Sequence, residues 1–82
     1  MYKIYFMNGE SEKRLIENMR NEIKGYIRMK GFTYEHLAQV ISQEYNIPTS
    51  PQSINNKLSR GSIKYVDVLR IASALGYTIK WI

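Results

Sequence analysis

"SPQSINNKLSRGS", Ser50 to Ser62, is the stretch on which the reading of this chain turns. Ser50-Pro51 is a helix start: the serine oxygen can accept from the first turn, and proline is tolerated where the backbone N–H would have no partner. Ile54 and Leu58 stand four apart and share one helix face, and Gly61 supplies a stop. The rest of the segment, Gln52, Ser53, Asn55, Asn56, Lys57 and Arg60, is polar or basic and mostly short. A helix that only covers a core is better served by Ala, Glu, Lys and Gln. Ser and Asn compete with the backbone for hydrogen bonds and weaken a helix. They suit a helix that enters the major groove of duplex DNA. Gln and Asn pair with adenine edges, Lys and Arg donate to guanine, and Ser bonds to bases or phosphates. The first turn, around Ser50, Gln52 and Ser53, also offers backbone N–H groups to a phosphate.

Working outward, the spacing predicts a recognition helix over 50–60 flanked by three others. Over 11–30, Leu15, Met19, Ile23 and Ile27 recur every four residues, with Ile16 and Tyr26 widening the stripe and Gly31 as the stop. Gly25 interrupts this helix at a cost of about 1 kcal/mol, which points to a close packing contact or a local irregularity there. Thr33 caps a second helix over 33–44, with Leu37, Val40 and Ile41 facing inward beside the small Ala38. Pro48 then disfavours helical geometry at Ile47. Ser62 is the expected cap of a fourth helix over 63–75, whose buried face reads as Tyr65, Val68, Leu69, Ala72 and Leu75, with Gly76 as the stop. Leu37, Ile54, Leu58, Leu69 and Ala72 are expected to meet in one core.

Both ends read as strands. "YKIYFM" within 1–8 is aromatic and branched, and Asn8-Gly9 stops it; "YTIKWI" over 77–82 alternates. Left alone, each exposes unpaired backbone groups, so the expectation is antiparallel pairing beside the helices. Two strands are marginal, and joining two such ribbons across a two-fold axis would bury Ile4, Phe6, Ile79 and Trp81. A homodimer through the terminal strands follows as an expectation. The fold class expected is mainly α, a single domain of four to five helices with short terminal strands.

At 82 residues, 44% hydrophobic and 23% charged, the chain has the composition of one globular domain. Its net charge of +5 is unevenly placed. Residues 46–82 carry Lys57, Arg60, Lys64, Arg70 and Lys80 against Asp67 alone, so the basic excess lies in and after the quoted segment. Nucleic acid is the commonest partner of such a domain.

Three stretches together, "FTYEHLAQVI", "SPQSINNKLSRG" and "VLRIASALG", resemble the helix-turn-helix domain of the phage Cro/CI and bacterial XRE-type repressors. The resemblance implies a lambda-repressor-like fold over about 15–76 and a double-stranded DNA partner. It places Gln52, Ser53, Asn56 and Lys57 at base-reading positions. It also implies phosphate contacts near Thr33, Tyr34, Ser50, Arg60, Ser62 and Lys64. One departure concerns the turn, which is longer here: Ala38 and Pro51 stand thirteen residues apart, so the second helix, the turn or both must be extended.

Other classes find little support. There is no cysteine, and the single histidine, His36, belongs to no metal-ligand cluster. No catalytic constellation or Gly-rich phosphate loop occurs, so no enzyme, cofactor, metal or small-molecule ligand is expected. No apolar run approaches the roughly 20 residues of a membrane span, and no signal peptide opens the chain; a soluble cytoplasmic protein is expected. The competing reading is a protein-interaction module, an antirepressor or adaptor on the same scaffold. Trp81 is expected in a core or interface.

Overall fold

Four helices account for most of the protein in a computed structural model that describes residues 11–81. They are α1, Glu12–Met29; α2, Tyr34–Tyr45; α3, Pro51–Arg60; and α4, Tyr65–Ala74. α2 packs against both α3 and α4, and α1 packs against α3. Ile23 and Ile27 of α1, Leu37, Ala38 and Ile41 of α2, Ile54 and Leu58 of α3, and Ile71 and Leu75 at the end of α4 form one buried cluster. Leu37 and Leu58 are fully enclosed in it. Apolar residues at helical spacing on all four helices therefore converge in one core.

The helix ends follow from local chemistry. Thr33 Oγ1 accepts from the backbone N–H of His36 at 3.1 Å, and Ser50 Oγ accepts from that of Ser53 at 3.1 Å. Gly61 has φ +67°, and the N–H groups of Gly61 and Ser62 reach back to the carbonyls of Leu58 and Lys57. That double closure satisfies two carbonyls the helix would otherwise strand. A Cβ at Gly61 would lie 2.6 to 2.8 Å from the side chain of Ile16, so α1 crosses the end of α3 at this glycine. Gly25, by contrast, has open space where a Cβ would stand and lies inside the continuous helix α1, so neither the close contact nor the irregularity expected there is found.

The extended turn lengthens both the helix and the connection. α2 runs to Tyr45, and Asn46 adopts the left-handed conformation at φ 53°. Ser42 Oγ donates to Ala38 O at 2.8 Å and accepts from the backbone N–H of Thr49 at 3.1 Å. This hydroxyl ties the end of the connection to the third turn of α2 and so fixes where α3 begins.

Three expectations are corrected. The C-terminal segment forms no strand: residues 77–81 carry no ladder, and no strand occurs among the described residues. The expected strand over 1–8 lies outside them, and with no strand in the C-terminal segment the antiparallel pair does not stand. The backbone N–H of Tyr77 is taken by Ala72 O at 2.8 Å and that of Gly76 by Ser73 O, closing α4. Beyond this point the tail is held by its side chains. The Tyr77 ring meets Tyr26 edge-on at 5.2 Å beneath Lys30, and Trp81 Nε1 donates to the Tyr65 hydroxyl at 2.8 Å. Trp81 is 86% exposed and belongs to no core.

The phase of α4 also differs. Ile71 and Leu75 are buried, whereas Tyr65 and Leu69 are exposed and Ala72 is half-buried. The inner row is Asp67, Ile71 and Leu75, spaced by four, and its first member is charged. Finally, Ser62 is not the cap of α4. Lys64 holds that position, with its backbone N–H donating to Asp67 Oδ2 at 3.1 Å.

Candidate nucleic-acid interface

Burying Ile54 and Leu58 fixes which way α3 faces. Gln52, Asn56 and Ser59, at spacings of four and three, lie opposite the buried pair, and all are exposed. Asn55 and Arg60 flank them and are exposed as well. All but Arg60 are uncharged and short or slender, so the backbone of α3 can approach a groove floor closely. Sequence reasoning named Gln52, Ser53, Asn56 and Lys57 as readers, counted Asn55 only among the polar residues of the helix, and passed over Ser59. The spacing of 52, 56 and 59 was the available signal for Ser59.

Ser53 and Lys57 stand on a different flank. Ser53 is half-buried, and its hydroxyl donates to Ser50 O at 3.0 Å. Lys57 Nζ lies 3.6 Å from Asp67 Oδ2, which binds it toward α4. Arg70 meets the other oxygen of the same carboxylate at 3.2 Å, and its guanidinium sits 6.0 Å from the centre of the Tyr45 ring. Asp67 thus ties Lys57 of α3 to the first turns of α4. Three donors converge on it: the Lys64 N–H, Lys57 and Arg70. Two of the five basic residues in the C-terminal half are therefore engaged internally. Arg60, Lys64 and Lys80 have no ion pair among the described residues.

The expected phosphate contacts divide in the same way. Arg60, Ser62 and Lys64 are exposed along the connection from α3 to α4 and form one short basic edge. Thr33 is exposed with its hydroxyl oxygen at work as a cap. Ser50 is exposed in the same role at the start of α3, leaving its hydroxyl proton free to donate. Tyr34 is half-buried beside Lys24, Ile27 and Arg28 of α1, and burial raises its phenol pKa above the ordinary 10.0. Its ring is a packing group first. His36 stacks flat on Phe32 at 4.3 Å, which gives this exposed imidazole a structural place. No group of three or more potential metal ligands occurs among the described residues.

The comparisons with known proteins add a family. Residues 16–79 match the model of a domain of unknown function, DUF6471, and the chain belongs to that family. No curated protein and no solved structure matches it.

Proposed function

We propose that this DUF6471 domain is a sequence-specific reader of double-stranded DNA, a cytoplasmic transcriptional regulator of the phage or bacterial repressor type. The observation that carries the reading is the outward face of α3. Gln52, Asn56 and Ser59 project from a helix locked from behind by Ile54 and Leu58, and no hydrogen bond or ion pair among the described residues engages their side chains. In this reading Gln52 and Asn56 bond to base edges, with Asn55 and Ser59 beside them. Arg60, Ser62 and Lys64 grip phosphates at the C-terminal end of the helix, and Ser50 with the free N–H of Gln52 does so at its start. Lys57 reaches DNA only by leaving Asp67, so it acts as a phosphate or base contact in the bound state alone.

The resemblance to Cro/CI repressors agrees with this assignment, and the capped start of α3 and the two-helix framework of α2 and α3 support it. That no described helix is long and apolar enough to cross a membrane is compatible with a cytoplasmic regulator. The second reading, an adaptor that binds protein, is favoured by the apolar residues exposed on α4.

An electrophoretic shift with random duplex across a salt series separates the two. Phosphate neutralisation makes DNA affinity fall steeply with salt, by about 0.9 log units per log unit of salt for each phosphate contacted. The regulator shifts duplex at low salt with that dependence. No shift at low salt refutes it.

A further inference from the structure

We infer that the outer face of α4, with the C-terminal segment lying beside it, is the surface through which two copies of this chain associate. The inference goes beyond DNA reading and does not depend on it.

The face is apolar where a monomer would place polar groups. Tyr65 is 49% exposed, Val66 46%, Leu69 38%, Ile79 37% and Trp81 86%. These residues are contiguous. Trp81 is pinned to Tyr65 by its indole N–H, and Ile79 shares a groove with Val68 and Ala72 of α4. The pinning matters because it orders a large ring while leaving most of its surface uncovered. Scaled by the ~150–250 Å² that a large side chain can bury, the exposed fractions leave about 500 Å² of apolar surface per chain. Two copies facing each other would remove about 1,000 Å² from water, close to the ~1,200 Å² at which stable interfaces begin. The area therefore suits a reversible, concentration-dependent dimer.

Charge at the rim selects a second copy as the occupant. Glu22 of α1 and Lys80 of the tail both line the groove beside this face, and neither has an ion pair among the described residues. A two-fold axis repeats every contact twice, so an axis that sets Glu22 of one chain against Lys80 of the partner subunit forms two ion pairs at once. One acid and one base on the same rim make the face complementary to itself. The base-reading residues lie on α3, so this association leaves them uncovered.

Sedimentation equilibrium on the full chain, without DNA, tests the inference from about 1 to about 500 µM. The mass should rise from that of one chain to that of two as concentration increases. Leu69→Glu and Trp81→Glu should each weaken self-association at least tenfold while leaving helical circular dichroism unchanged. Trp81 is so exposed that its replacement cannot unfold the domain, so it serves if Leu69→Glu does. Glu22→Lys and Lys80→Glu should each weaken the dimer, and the two together should restore it. A chain that stays monomeric at 500 µM overturns the inference, as does a dimer indifferent to Leu69→Glu and Trp81→Glu. Failure of the double exchange to restore association overturns the pairing of Glu22 with Lys80 of the partner subunit. Since no DNA is present, each of these results is independent of the proposed DNA reading.

Discussion

α3 and α4 are both ten residues long, and each turns one face to the core and one to solvent. Their solvent faces have opposite chemistry. α3 shows Gln52, Asn55, Asn56 and Ser59; α4 shows Tyr65, Val66 and Leu69. Neither pattern is what helix stability alone would select, since amides, short hydroxyls, a β-branched residue and an aromatic ring are all mediocre helix formers. Each face is better explained by what it meets. Hydrogen-bonding groups of fixed, short reach serve recognition of a polar surface, while exposed rings and branched chains serve burial against another apolar surface. Both helices pack on α2, and Asp67 of α4 reaches across to Lys57 of α3 while Arg70 of its own helix holds the other carboxylate oxygen.

The comparison breaks most readily at its buried side. Leu58→Ala should cost about 2–5 kcal/mol, because it empties a fully enclosed site where α3 meets α2. Leu69→Ala, on the exposed face of α4, should cost less than about 1 kcal/mol in dilute solution. Thermal melts of the two variants at low micromolar concentration check this contrast, and equal losses would mean that the phase of α4 is wrong. Next in size is Gly61→Ala. The left-handed backbone and the Ile16 side chain both oppose a Cβ there, so a loss of about 1–3 kcal/mol is expected in chemical denaturation. Gly25→Ala meets nothing and should stabilise α1 by up to about 1 kcal/mol. The smallest effect belongs to the basic edge. Arg60→Ala or Lys64→Ala should lower the salt slope of DNA binding by about one unit each, without altering sequence preference.

Much of the fold was legible because caps and apolar spacing are local signals. Thr33, the Ser50-Pro51 pair and Gly61 each marked a helix end through chemistry that involves only neighbouring residues. The rotation of α4 was not legible. Its inner row begins with Asp67, and a carboxylate on a core-facing row becomes reasonable only once Lys57, Arg70 and the Lys64 N–H are seen to surround it. The same contact explains why Lys57 read as an outward base-reading residue. It lies beside Asn56 in sequence, and only the ion pair it makes with Asp67 of α4 shows its charge already engaged. The tail misled for a related reason. "YTIKWI" has the alternation of a strand, but alternation reports side-chain preference and not the presence of a backbone partner. Tyr77 and Trp81 attach this segment to the helices through their rings, so the described tail needs no ladder. At the candidate site, the polarity of α3 was visible in composition, whereas the choice among its polar residues had to await the burial of Ile54 and Leu58.

The most direct test of the account is selection of bound duplexes from a random library by the full chain and by a Gln52→Ala/Asn56→Ala variant, at low salt. Both residues are exposed, so the variant should melt at the same temperature as the parent. The parent should enrich one sequence. The variant should bind that sequence about 1–3 kcal/mol more weakly for each lost bidentate pair and keep its salt-dependent affinity for duplex in general. A parent that binds no duplex, or a variant that enriches the same sequence as strongly as the parent, would contradict the claim that the outer face of α3 reads DNA.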